Sequence, residues 1–292
     1  MSANPRLRAR SIAPAARRWL VSSQHARVLY AFDAVVNLVN EDAEVFSLVS
    51  AHLGDGPFSI VLEDFPSGAH ADSSLLVFEN GLWLDDWLID AEEAVLWQPV
   101  PNWAALRSQP DLLPPAGRQI ADLLAQHAPA DSLARLVLDP AASSPLPARI
   151  LQAAEQNIPM LFAGLHQQDD PMLRQAAKKL AGLGPGLTPA GDDLLLGAMY
   201  GLWATQPPAA AQQTAETIAA IATERTHALS AAWLAAGARG EAAAPWHQLV
   251  DAIAVNDPAA LAAAVMRILP TGHTSGADAL AGFLGMLQGW QA

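Results

Sequence analysis

The sequence predicts an α+β fold: a small β-rich N-terminal part, residues 1–103, packed on a larger all-α C-terminal part, residues 104–292. Three observations predict it. From about residue 26 to 100, short runs rich in Val, Leu and Phe alternate with Gly, Asn and Pro turns, the pattern of a small barrel or sandwich. Pro101, Pro110, Pro114 and Pro115 then crowd into one segment and mark a boundary. Beyond them apolar residues recur at three- and four-residue spacing, the period of amphipathic helices.

Composition narrows the function classes. At 292 residues, 52% hydrophobic and 15% charged, the chain can bury a sizeable core as one large domain or two ordinary ones. A net charge of −13 argues against nucleic acid and anionic membrane as partners. The chain has no cysteine, which excludes disulfides, thiolate catalysis and zinc–cysteine sites. It also lacks an uninterrupted apolar run of about 18 residues, so no membrane span and a cytoplasmic location are expected.

The elements are expected in this order. The first 32 residues hold Arg6, Arg8, Arg10, Arg17, Arg18 and Arg27 and no acid. They read as a charged surface helix or the start of a strand, with an anion- or partner-facing edge as the alternative. ARVLYAFDAVVNLV and EVFSLVSAHL read as strands, and FSIVLED follows a Gly54-Asp55-Gly56-Pro57 turn. Asn80-Gly81, between two apolar runs, predicts a hairpin turn. Trp83, Trp87, Trp97 and Trp103 read as core packing of this region, with an interface as the alternative. Four amphipathic segments follow from RQIADLLAQHA to PMLRQAAKKLAGL, with Pro171 at a helix start. A helix over about 190–204, an Ala-rich stretch to about Ala238 and three further helices complete the chain.

Gly182 to Gly197, GLGPGLTPAGDDLLLG, is the most informative stretch. Its glycines allow left-handed backbone, and successive N–H groups in such a loop can point at one anion. Thr188 is expected as the N-cap and Pro189 as the first helical residue. A helix N-terminus then faces the loop and favours an anion. The pattern returns in GHTSGADALAGFLGML, Gly272 to Leu287, with Thr274 and Ser275 as N-cap candidates. Gly191, Asp193, Leu195 and Gly197 align with Gly276, Asp278, Leu280 and Gly282 at a constant offset of 85 positions (191 to 276). Two similar helix starts with glycines for packing would explain this. The functional reading is one pocket between two helix N-termini, bound by Gly184, Gly186, Thr188, Gly191, Asp192, Thr274, Ser275 and Gly276. In that reading Gly197 and Gly282 let the two helices approach. Thr226 and Ser230, four apart and so expected on one helix face, would form a side wall; the alternative is two hydroxyls bonded back to helix carbonyls.

Asp193 and Asp278 recur at equivalent positions and are the catalytic candidates, with His273 before the second cap as a proton carrier. An acid near a helix N-terminus stabilises it by about 0.3–1 kcal/mol, so capping alone also explains either aspartate. A shared Mg²⁺ is a possible use of the pair, and no other cofactor is expected. The other histidines show no H-x-x-x-H or H-E-x-x-H spacing, so no zinc site is expected.

GLGPGLTPAGDD, the Thr226–Ser230 pair with Gly237 and Gly240 beyond it, and GHTSGAD resemble the AllH-like subunit family of oxamate carbamoyltransferase. Leu53 to Leu62, LGDGPFSIVL, is similar to that family's N-terminal motif. The resemblance covers most of the chain, with Ala190 where the family often has Ser. It implies a part in converting oxalurate and phosphate to oxamate and carbamoyl phosphate, reversibly, in ureide nitrogen breakdown. It also implies a small anionic substrate and other carbamoyltransferase subunits as partners. Two alternatives stand beside it: a non-catalytic subunit that binds a carboxylate, and a metal-assisted hydrolase of a small anion.

Overall fold

The computed structural model describes residues 5–288 except 67 and 142. It divides into a strand-rich unit, residues up to Pro99 with Ala242–Ala244, and a helical unit, Val100–Glu241 with the chain from Pro245 onward. The fold class is α+β.

The first unit opens with β1 (Arg6–Ile12) and α1 (Pro14–Ser22). Then come β2 (Ala26–Ala31), β3 (Val35–Asn40), β4 (Val45–Ser50), β5 (Ser59–Leu62), β6 (Leu75–Phe78), β7 (Gly81–Leu84), β8 (Trp87–Asp90) and β9 (Val95–Leu96). They form one sheet in the order β2-β3-β4-β5-β1-β8-β7-β6, with β9 also on β1. The end strands β2 and β6 come into contact, which gives the sheet a barrel-like curl. Leu38, Phe46, Leu48, Ile60, Leu62, Leu82, Leu84 and Ile89 line its core. Trp19 of α1 stacks on Phe46 at 4.8 Å in the same cluster.

One expectation holds and one changes. The Arg-rich start is a strand followed by a helix with Arg17 and Arg18 exposed, and β1 is the central strand, antiparallel to β5 and parallel to β8. Side chains alternate along a strand, so Leu7 turns into the core while Arg6 and Arg8 face outward. Arg6 Nε donates to Asp90 Oδ2 at 2.9 Å, and Arg10 faces Asp55 at 3.6 Å and Glu63 at 3.4 Å. The hairpin turn falls one residue earlier than read, on Glu79-Asn80. Gly81 already pairs with Phe78 inside β7. A Cβ on Gly81 would overlap the Ile89 carbonyl of β8, which is why glycine stands there.

The second unit contains α2 (Trp103–Arg107), α3 (Leu113–His127), α4 (Ala134–Leu138), α5 (Ala148–Gln167), α6 (Asp170–Leu180) and α7 (Ala190–Thr205). It continues with α8 (Pro208–Ala222), α9 (Ala228–Ala238), α10 (Ala244–Ala254), α11 (Pro258–Ile268) and α12 (Ser275–Leu287). Trp103, read with the β-region tryptophans, opens α2 instead. It stacks on Tyr200 at 5.8 Å and donates to the Gly240 carbonyl at 2.8 Å.

Helices α7 and α12 are the core of this unit. Both are buried on nearly every face, as their nearly unbroken apolar sequence requires. Their glycines mesh reciprocally. A Cβ on Gly197 would overlap the Ala279 carbonyl, and one on Gly282 would overlap the Leu194 carbonyl. Gly201 packs against Met286 in the same way. Residue numbers rise together along both helices, so the two run parallel and start at the same end. At the offset of 85, Gly197–Ala279 and Leu194–Gly282 are equivalent contacts, and Gly201 and Met286 are each other's equivalents. The pair therefore has a local pseudo-two-fold.

The duplication extends to the preceding helix. Asp169 caps α6 by accepting from the Met172 amide, and Asp257 caps α11 by accepting from the Ala259 and Ala260 amides. Each helix carries a proline in its first turn. Gly191 and Gly276 then sit so close to the Leu180 and Ile268 carbonyls that a Cβ would overlap them. These two glycines seat each core helix on the end of the helix before it.

Candidate functional site

The first loop, residues 181–189, turns through Gly182, Gly184 and Gly186 at φ +70°, +119° and +97°, conformations that side chains disfavour. Helix α7 starts one residue later than read. Pro189 is the N-cap and Ala190 the first helical residue, and no side chain caps the helix. Thr188 is thereby released from capping. Its Oγ1 lies 2.9 Å from Ser275 Oγ, the first residue of α12. The two loops are tied to each other at this hydrogen bond. Thr274 is the N-cap of α12 by position, without a capping hydrogen bond from its side chain.

The amides expected to face an anion are partly committed. Gly191 N–H donates to the Leu183 carbonyl at 2.8 Å, and Gly276 N–H to the Thr271 carbonyl at 3.0 Å. Tight glycine turns close on their own carbonyls, which the sequence pattern alone does not reveal.

Asp192 is a structural clasp. Its Oδ1 accepts from the Gly182 amide at 2.8 Å, and its Oδ2 accepts from Ser230 Oγ at 2.8 Å and from Thr226 Oγ1. Burial raises its pKa; the Thr226, Gly182 and Ser230 hydrogen bonds pull it back only in part. The structure brings Thr226 and Ser230 together as expected, but not on one helix face. Thr226 is extended at φ −131° and precedes α9, with His227 as its N-cap. Neither hydroxyl bonds back to a helix carbonyl; both turn to Asp192. A Cβ on Gly182 would overlap the Arg225 carbonyl, so the loop lies directly on this segment.

Asp193 and Asp278 are both buried, and each leaves its Oδ2 without a hydrogen-bond partner. Burial drives the Asp193 carboxyl well above the usual range. The Ser275 and Thr188 hydroxyls oppose this, and the nearby Asp278 and Asp192 charges add to it. Asp278 Oδ1 accepts from Ser132 Oγ and from the Leu133 amide, each at 2.7 Å. Ser132 Oγ also accepts from the Ala134 amide at 3.0 Å, so the network closes the start of α4. Burial raises the Asp278 pKa to about 6 against the Ser132, Thr274, Leu133 and Ala134 hydrogen bonds.

Two turns below Asp193, the Tyr200 hydroxyl is also buried without a partner. Its ring stands 5.8 Å from Trp103 and 4.7 Å from Trp246. Burial pushes its pKa up, and the Glu241 and Asp193 charges add to this. His273 is apart from this buried set: it is exposed and faces Asp131 at 2.9 Å. Among the described residues, no group of three or more His, Asp or Glu side chains is placed to hold a metal ion. Ser132, Leu133, Asp131 and Tyr200 are participants that the sequence reading missed. Ser132, one residue before the N-cap of α4, is the only one with a local signal, a hydroxyl near a helix start that accepts from the Ala134 amide.

Residues 180–287 match the family model described as oxamate carbamoyltransferase subunit AllH, and residues 8–96 match the AllH family N-terminal domain. The chain belongs to the AllH family. No solved structure matches it. The first match runs from the last residue of α6 to the last of α12 and so contains both glycine loops, Asp192, Asp193 and Asp278. The second ends with β9. An AllH chain is a subunit, which implies other subunits beside it. No helix among the described residues is long and apolar enough to cross a membrane.

Proposed function

We propose that this AllH chain supplies the carbamoyl- and anion-holding part of an oxamate carbamoyltransferase site and turns over only with its partner subunits. The reaction is oxalurate plus phosphate to oxamate plus carbamoyl phosphate, in either direction. A phosphate oxygen attacks the carbamoyl carbon, the C–N bond to the oxamate nitrogen breaks, and that nitrogen takes up a proton. The Thr188–Ser275 hydrogen bond carries this reading, because it joins the starts of two parallel helices at one point. Two helix N-termini side by side favour an anion through both dipoles. With the Gly191 and Gly276 amides turned onto carbonyls, the hydroxyls of Thr188, Thr274 and Ser275 and the dipoles hold the anion. The buried Asp193 beneath them is the group to exchange a proton with the leaving nitrogen.

The test is carbamoyl phosphate formation from oxalurate and phosphate by the assembled subunits, with and without this chain. Running it with and without Mg²⁺ tests the metal expectation separately. T188V and S275A are expected to lower kcat/KM at least about tenfold, equivalent to about 1.4 kcal/mol. H273A, at an exposed pair, is expected to change it less than about threefold, under 1 kcal/mol. Full turnover without this chain would end the proposal. Full turnover in T188V and S275A, with oxamate still bound, would favour a non-catalytic carboxylate-binding subunit.

A further inference from the structure

Asp193 and Asp278 hold equivalent positions on two parallel, meshed helices, and each offers one buried oxygen that nothing in the chain satisfies. A buried polar atom without a partner costs about 1–3 kcal/mol. Two such atoms at matching positions call for an occupant. Asp278 spends its Oδ1 on Ser132 and Leu133, so it has only Oδ2 to give. The Asp193 carboxyl feels the Asp278 charge, so the two groups are near enough to couple. Two coupled carboxyls in a buried setting do not both ionise near neutrality. The pair then presents one O–H donor and one O⁻ acceptor. The two 2.7 Å hydrogen bonds that Ser132 and the Leu133 amide donate to Asp278 favour its charged form, which makes Asp278 the carboxylate and Asp193 the acid.

The complement of one donor beside one acceptor is the edge of a primary amide, whose carbonyl oxygen accepts and whose NH₂ donates. Building on the function proposed above, we infer that Asp193 and Asp278 jointly read the primary-amide edge of the substrate. Asp193 donates to the carbonyl oxygen and Asp278 accepts from the NH₂. Both ends of the reaction carry such an edge: the carbamoyl group of oxalurate or carbamoyl phosphate, and the amide of oxamate. An analogue with O⁻ in place of NH₂ sets two negative charges against each other at Asp278. An analogue with CH₃ there leaves the carboxylate unpaired. Sites built on a buried hydrogen-bonding group reject analogues that lack its partner much more strongly than apolar pockets reject a missing methylene.

The experiment is equilibrium binding to the assembled subunits with two matched pairs of probes. Oxamate against oxalate reads the acceptor end, and carbamoyl phosphate against acetyl phosphate reads the carbamoyl end. The wild type is expected to prefer the amide at least tenfold in one pair, and that pair identifies the end held between the aspartates. D278N leaves Oδ1 to accept from Ser132 and Leu133 and converts only the free oxygen into a donor. It is expected to abolish the preference and, in the first pair, to favour oxalate. D193N still donates and is expected to keep the preference within threefold, whereas D193A loses it. If D278N does not fold, D193A against D193N carries the same decision. No preference in either pair for the wild type, or a preference that survives D193A and any folded D278N, overturns the inference. Binding needs no turnover: a complex that selects oxamate but transfers no carbamoyl group would sink the proposed reaction and leave this pair standing.

Discussion

The α6–α7 and α11–α12 hairpins share a backbone plan and differ in how they anchor their acids. Each begins with an aspartate cap and a proline, seats a glycine on the last carbonyls of the first helix, and meshes a second glycine into the opposite core helix. The first loop spans residues 181–189 and the second 269–274, so the second is three residues shorter. The longer loop needs three left-handed glycines and a clasp, which Asp192 supplies through Gly182, Thr226 and Ser230. In the second hairpin the position equivalent to Asp192 is Ala277, and the acid of its core helix, Asp278, holds Ser132 and Leu133 instead. What repeats is the contact between helices. What differs is the polar anchoring, and that difference decides which carboxyl oxygens stay free.

Three measurements can break or sharpen this comparison. The largest effect is expected at the reciprocal glycines. G197A and G282A each drive a methyl into the opposite helix backbone, which has no rotamer to give. Each should destabilise by about 3 kcal/mol or more in urea titration, at the upper end for overpacking, less the ~1 kcal/mol that Ala gains as a helix former. If the pseudo-two-fold holds energetically, the two losses match, and the double variant costs less than their sum, because one separation of the helices relieves both. Tolerance of one but not the other would break the symmetry.

Next comes the pH dependence of stability. The folded Asp278 binds its proton more tightly than the unfolded chain, with a pKa of about 6 against the ordinary 3.8. The folded state therefore carries more protons between those values, and stability falls as pH rises from about 4 to about 6. A shift of this size corresponds to up to about 3 kcal/mol, at about 1.4 kcal/mol per unit. Asp193 and Asp192 are shifted the same way, and Asp193 extends the decline to higher pH. D278N should remove its share of the slope and match or exceed the wild type in stability at pH 8. An identical slope in D278N would mean that its carboxyl stays hydrated in solution.

The smallest effect is expected at the clasp. D192A leaves the Gly182 amide and the Thr226 and Ser230 hydroxyls without their acceptor and should cost about 2 kcal/mol. D192N should cost less than half of that, because both hydroxyls can turn from donating to accepting. Equal losses would show that the charge, and not the hydrogen-bond geometry, secures the longer loop. The matching change in the second hairpin, A277D, adds a buried acid with no clasp and should destabilise more than D192N does.

Much of this was legible beforehand, and the failures are specific. The strands from β2 to β9 follow from apolar runs and turn residues, which act locally. The Glu79-Asn80 turn was misplaced by one residue because Gly81 looks like a turn glycine. It is needed for a close approach to β8, a non-local demand. The Arg-rich start reads as a strand entry or surface helix, but not as the central strand, because β1 finds its partners at β5, β8 and β9, far along the chain, and its alternation is hidden by arginines that meet acids there. In the helical unit the G-x-D-x-L-x-G duplication was visible as a constant offset, and so was the role of Gly197 and Gly282.

By itself, then, the sequence determined the α+β division, the two glycine-led helix starts, their equivalence and the acids they carry. Each of these depends on the local period of apolar residues or on the backbone freedom of glycine and proline, and so can be read in a short window. Only the tertiary structure decided that Thr188 meets Ser275 instead of capping its own helix. It also decided that Thr226 and Ser230 serve Asp192 while Ser132 and Leu133 serve Asp278. A buried carboxylate takes whichever donors the packed chain brings within about 3 Å. Those donors come from elements folded against it, tens to more than a hundred positions away, at a spacing that no sequence period encodes.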